Sequence, residues 1–148
     1  MRAALVELSD SPATPEDFTN KLTRNVAEFR EAADLNIHLD LMSAGQVSLS
    51  HPAQAQALKI VGEALTNIHR HAQAQQVWVK VQARQEQAQI TIEDDGIGFD
   101  PGAISGREHL GLRLMRTRAE RSGGSLIVES SPGAGTRVEV VFPLEAVR

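Results

Sequence analysis

At 148 residues, 41% hydrophobic and 23% charged, the chain is long enough to bury one core and too mixed in composition for a disordered or fibrous protein. It has no cysteine, which excludes disulfides, thiol catalysis and cysteine-ligated zinc, and a formal net charge of −4 with only 3% aromatic residues argues against a nucleic-acid surface. No apolar run approaches the roughly 18 residues that cross a bilayer, and no secretory leader is visible, so a cytoplasmic location is expected, with any membrane anchor in upstream segments.

Residues 1–11 show no periodicity, and Ser9-Asp10-Ser11-Pro12 reads as a turn after the end of a preceding element. Thr14-Pro15-Glu16-Asp17 is a helix start, with a hydroxyl at the cap, proline in the first position and acids in the first turn. Phe18, Leu22, Val26 and Phe29 then give a helix to about Ala33 one apolar stripe. Leu35, Ile37, Leu39 and Leu41 alternate with Asn36, His38 and Asp40 as a strand, ended at Ser43-Ala44-Gly45. Pro52 opens a second helix running to about Ala72. Projected at about 100° per residue, Leu58, Val61, Leu65 and Ile68 fall on one side, with Glu63, Asn67, Arg70 and His71 almost opposite. Such a polar quartet suits either a solvated face or a site.

Val77, Val79 and Val81 alternate with Trp78, Lys80 and Gln82, and the link Arg84-Gln85-Glu86-Gln87 leads into a second alternating run, predicting an antiparallel hairpin. Strand periodicity places Ile90, Ile92 and Asp94 on one face. A carboxylate aimed at the core needs a donor from the protein or from a ligand, because unpaired burial of a charge is prohibitive. The exocyclic amine of adenine is one such donor. Gly96 and Gly98 permit backbone conformations and close approaches that a Cβ would block, and the same hexamer, Asp94 to Phe99, also suits a plain turn.

Residues 100–108 read as a mobile loop, and a third helix is expected from Leu110 or Gly111, with Leu112, Met115 and Ala119 at core spacing and a stop at Gly123-Gly124. Leu126-Ile127-Val128 and Val138-Val140-Phe142 read as closing strands, joined through a segment where Gly133 and Gly135 allow a tight turn. The order predicts an α/β two-layer sandwich: a mixed, mostly antiparallel sheet of about five strands with three helices on one face.

Four segments therefore follow one another: the Glu63, Asn67, Arg70, His71 quartet, Asp94-x-Gly96-x-Gly98, His109-Leu110-Gly111-Leu112, and Gly133-x-Gly135-Thr136. Together they resemble the N box and three glycine boxes of the ATP-binding catalytic domain of bacterial sensor histidine kinases, in the superfamily that includes DNA gyrase, the heat-shock chaperone ATPase and the MutL repair protein. The resemblance spans about residues 52 to 143, and the wording Asn67-Ile68-His69-Arg70-His71-Ala72 with the run Gly111 to Ala119 is most similar to the nitrate/nitrite-sensor (NarL-partner) subfamily. It implies a Bergerat-type ATP-binding domain over residues 15–148, preceded by residues 1–14 as a linker or remnant of a dimerisation domain.

Residue by residue, the resemblance implies that Asn67 coordinates a magnesium ion bridging the phosphates of ATP, a task its neutral carbonyl oxygen suits. Glu63, one turn earlier, would act as general base or orient the metal, and Arg70 would set its charge against a phosphate. Asp94 would accept the adenine amine, a match that guanine, with a carbonyl there, fails. Gly106 and Gly111 would flank an ATP lid, with N–H groups at Gly111 and Leu112 near phosphate. His71 and His109 suit a ligand contact or a structural role equally, and Thr136 a phosphate or the water network at the base.

None of the five histidines, His38, His51, His69, His71 and His109, lies in a dimerisation helix ahead of this site, so the chain is expected to be a monomeric fragment. Its expected activity is transfer of the γ-phosphoryl of ATP to a histidine on a separate dimerisation domain, the full-length kinase being a homodimer that serves a response regulator. The alternatives are an anti-sigma-type serine kinase and a non-catalytic nucleotide-binding interaction module. A gyrase-like or chaperone-like ATPase fits less well, since those chains continue into a second domain that supplies a lysine.

Overall fold

The computed structural model describes residues 15–43, 47–103 and 106–145, so the expectations for residues 1–14 lie outside it. The elements are α1 (Pro15–Ala33), β1 (Asn36–Ser43), α2 (His51–Asn67) continuing into a π-helical turn (Ile68–Ala72), β2 (Gln76–Arg84), β3 (Gln87–Asp94), α3 (Arg107–Arg121), β4 (Ser125–Ser130) and β5 (Thr136–Pro143). The five strands form one sheet in the order β1-β2-β3-β5-β4. β1 runs parallel to β2, and the other neighbours are antiparallel. The three helices of the described residues cover one face, which is the architecture the sequence predicts.

That face holds the core. The α1 stripe buries Phe18, Leu22 and Val26 completely, in the same core as Val77, Val79 and Val81 of β2, Ile90 and Ile92 of β3, and Val138, Val140 and Phe142 of β5. Each such side chain contributes about 1.5–3 kcal/mol on burial. The opposite face is solvated: Trp78 is 44% exposed and stacks on His38, and Arg137 of β5 bridges Glu93, Glu129 and Glu139 at 3.4, 3.2 and 2.9 Å. Exposed ion pairs are worth at most about 1 kcal/mol each, so they trim the register of β3, β5 and β4 while the core holds the sheet together.

α2 starts where Ser50 Oγ accepts the N–H of Ala53 at 3.2 Å, with Pro52 in the first turn. It packs on the sheet largely through small residues, Ala53, Ala57 and Ala64, between Ile60, Val61 and Leu65, while Leu58 is only half-buried. α3 begins at Arg107, earlier than Leu110 or Gly111 where the apolar pattern suggests. Arg107-Glu108-His109 carries no apolar residue and Leu110 is 54% exposed, so the buried period of Met115 and Ala119 does not reach back to the start.

The β2–β3 hairpin turns through Gln85 and Glu86, at φ 53° and 64°. Both central residues at positive φ make this a type I′ geometry, which favours Asn-Gly over the Gln-Glu present. Replacing the pair by Gln85→Asn with Glu86→Gly is expected to raise unfolding stability by about 1 kcal/mol. Urea denaturation checks this; a lowered midpoint at unchanged slope contradicts it.

Candidate functional site

The central strand β3 ends at Asp94, whose side chain is only 7% exposed and points to the core side with Ile90 and Ile92. Its Oδ1 accepts the N–H of Gly96 at 2.8 Å, and the backbone N–H of Thr136 also donates to the carboxylate. Burial nevertheless pushes this carboxyl above its ordinary value of 3.8, the neighbouring charge of Asp95 adding to the rise while the Gly96 and Thr136 amides oppose it. The protein's own donors therefore leave the ionised form short of partners.

Asp94 and Thr136 form the polar floor of a cavity of about 210 Å³. Its lining is otherwise largely apolar, with Ile92, Met115, Val138, Ile97, Phe99 and Leu112, and Asn67 and His71 also reach it. A concave apolar pocket with a few convergent polar groups is the usual form of a small-molecule site.

The glycines around Asp94 lock this wall together. Gly98 sits at φ 64°, and a Cβ there would collide with the carbonyl oxygens of Ser131 and Gly135. Gly135, at φ 70°, brings its Cα against the Asp94 carbonyl, and the Gly133 N–H donates to the Ile97 carbonyl at 2.6 Å. The first and third glycine segments thus interlock backbone to backbone, so Gly98 and Gly135 serve close approach. Asp95, which sequence reasoning did not single out, accepts the N–H groups of Gln75 and Gln76 at 2.9 Å each. Those two amides hold its carboxyl below the ordinary range. This capping anchors the chain entering β2 beside the end of β3; the only sequence signal is the general liking of aspartate for turns.

From the other side, α2 and α3 meet at Gly111. A Cβ on Gly111 would lie 3.5 Å from Glu63 Oε2 and 3.9 Å from Asn67 Oδ1, so the two polar residues of α2 face the third helix's first turns. Leu112 follows at the cavity wall. His109 lies in the first turn of α3, directly after Gly106 at φ 69°. The structure therefore brings Glu63, Asn67, His71, Asp94, Gly98, Leu112 and Thr136 around one cavity or its edge.

Arg70 is not among the residues that line the cavity. The helical projection assumed regular α-helix to Ala72, whereas Ile68–Ala72 winds as a wider π-helical turn. In that turn His71 lines the cavity, while Arg70 is exposed and His69 packs edge-on against Phe29 at 6.4 Å.

Among the described residues no three His, Cys, Asp or Glu side chains cluster to hold a metal between them. Asn67 and Glu63 offer an oxygen-only pair, a donor set that fits a magnesium ion retaining waters and ligand oxygens and does not fit a protein-caged zinc.

The family described as "Histidine kinase-, DNA gyrase B-, and HSP90-like ATPase" matches residues 53–146. The chain is 31% identical over 144 residues to the sensor histidine kinase LiaS of Bacillus subtilis (strain 168), covering 97% of this chain and 39% of that protein. It is 32% identical over 121 residues to the nitrate/nitrite sensor protein NarX of Escherichia coli (strain K12), covering 82% of this chain and 20% of that protein. The chain thus spans well under half the length of these curated relatives. In fold it is similar to the histidine kinase domain of the Erythrobacter litoralis EL346 blue-light activated histidine kinase, at a TM-score of 0.71 and 23% identity over 86% of this chain and 65% of that one. The chain belongs to the histidine kinase-, DNA gyrase B- and HSP90-like ATPase family.

Two stability measurements test the site's construction. Gly98→Ala and Gly135→Ala are each expected to cost more than about 2 kcal/mol, because a Cβ meets backbone, whereas Gly62→Ala inside α2, with nothing within 4 Å and no positive φ, should be neutral or stabilise by up to about 1 kcal/mol. Equal costs at all three positions contradict the interlock. For Asp94 the raised folded value means that stability falls as pH climbs from 3.8 through that value and stays reduced at pH 7. Asp94→Asn, which keeps an acceptor for Gly96, should therefore raise Tm at pH 7, and a lowered Tm contradicts the burial cost.

Proposed function

We propose that this member of the family binds Mg-ATP and transfers its γ-phosphoryl to a histidine carried by a separate dimerisation domain of a two-component sensor kinase. The observation that carries the reading is the buried Asp94 in a largely apolar cavity that Asn67 of α2 also lines, with Glu63 and Asn67 together facing Gly111. The adenine amine would supply the donor that Asp94 lacks, and the apolar walls would take the faces of the ring. Asn67 would hold the magnesium ion, which when bound neutralises charge between the phosphates. Glu63 is placed to orient that ion's water or to take a proton from the attacking imidazole. N–H groups in the first turn of α3, which Arg107 opens, would meet the phosphates with help from the helix dipole. Catalysis on this plan is positioning and charge neutralisation.

Residues 15–148 would form the catalytic domain and residues 1–14 the link to the acceptor domain, in a cytoplasmic part of a homodimeric kinase that serves a response regulator. The resemblance to nitrate/nitrite sensors supports a place near them, but LiaS matches over more of this chain. A role tied to nitrate does not follow. An anti-sigma-type serine kinase and a non-catalytic nucleotide-binding module use the same cavity, so the fate of the phosphoryl group separates the three.

Calorimetry with magnesium and a non-hydrolysable ATP analogue should show binding, and Asp94→Asn should weaken it by at least about 100-fold. Glu63→Gln should bind within about threefold of the unaltered chain yet stop transfer to an acceptor domain supplied in trans. An acid-labile phosphate on the acceptor supports the histidine reading, an acid-stable one the serine kinase, and binding without any transfer the interaction module. A folded chain that gives no heat with the analogue rules out all three.

A further inference from the structure

We infer that Ser130 is a positioning residue that sets nucleotide choice by turning Thr136 into a hydrogen-bond acceptor toward the cavity, an inference that rests on the adenine reading above. Ser130 closes β4 and does not line the cavity. Its Oγ accepts the N–H of Phe99 at 2.9 Å, donates to the Gly135 carbonyl at 2.9 Å, and lies 2.9 Å from Thr136 Oγ1. A hydroxyl has one proton and two lone pairs. Gly135 is buried, and the Ser130 hydroxyl is the donor the structure gives its carbonyl oxygen. Turning that proton elsewhere would strand a buried acceptor, which costs more than a hydrogen bond gains.

The proton of Ser130 is therefore committed to Gly135 and one lone pair to Phe99. The remaining lone pair takes the proton of Thr136. Thr136 then has only lone pairs to present to the cavity, and Asp94, its partner across β3 and β5, is also an acceptor when ionised. A floor made of acceptors alone matches an exocyclic amine, which offers two N–H donors. A carbonyl at that place, as in guanine, meets lone pairs on both sides. Without the Ser130 oxygen, the Thr136 hydroxyl regains its proton for the cavity and can donate to that carbonyl. Ser130 thus acts on specificity through Thr136 and does not touch the base.

The test measures dissociation constants of Mg-ATP and Mg-GTP for the 148-residue chain and its variants, each held well below its own unfolding midpoint. Ser130→Ala should narrow the preference for ATP over GTP by about tenfold, Thr136→Val should narrow it similarly, and Ser130→Thr, which keeps a hydroxyl, should restore it. In the Thr136→Val background, Ser130→Ala should narrow the preference no further. A serine that only braces the turn predicts the opposite: a lowered midpoint with the preference intact, or the same loss in both backgrounds, and either result overturns the inference. Should Ser130→Ala fail to fold, Thr136→Val decides alone, an unchanged preference overturning the inference. If the unaltered chain binds neither nucleotide, the ATP reading itself falls, an outcome distinct from binding with an unmoved preference.

Discussion

A carboxylate held at the inner end of the central strand is the constraint around which the site is arranged. Asp94 is buried with two backbone amides as partners, and its carboxyl still rises above the ordinary value because those amides do not offset the loss of water. A group in that condition is a standing demand for one more donor. The sheet, by placing β3 between β2 and β5, fixes where the donor must come from: the cavity side. The fold thus supports an unfavourable charge, and about 1.5–3 kcal/mol from each of many buried aliphatic residues makes that tolerable.

The second constraint is the backbone interlock behind the cavity. Gly98 against Ser131 and Gly135, Gly135 against the Asp94 carbonyl, and Ser130 tying Phe99, Gly135 and Thr136 make one rigid wall from segments thirty-odd residues apart in sequence. Rigid donors and acceptors discriminate better than mobile ones, because a misfit ligand cannot be accommodated by rotation. The two helices then add chemistry, with Glu63 and Asn67 of α2 facing Gly111 of α3.

Much of this was legible from residue order. The period-two runs located the strands, the stripe of Phe18, Leu22 and Val26 located α1, and the inward register of Asp94 with Ile92 follows from alternation alone. What periodicity could not convey is geometry that departs from a regular helix or depends on distant backbone. Arg70 stands on the π-helical turn at Ile68–Ala72, exposed and outside the cavity lining, and the apolar period alone does not announce that the helix widens there. The start of α3 is hidden because its first three residues are polar and the apolar Leu110 stays exposed. Asp95 and Ser130 matter through amides and a carbonyl far along the chain, and short polar residues in turns look alike until those partners are known.

The most direct measurement is the ionisation of Asp94 itself, followed by the carbon-13 shift of its carboxyl as pH is varied, without and with bound Mg-ADP. A midpoint above 3.8 is expected in the free chain, falling when the nucleotide is present, since a donor that favours the ionised form lowers it. A midpoint that saturating Mg-ADP leaves unmoved would mean that Asp94 does not receive the adenine amine, and the central claim would be wrong.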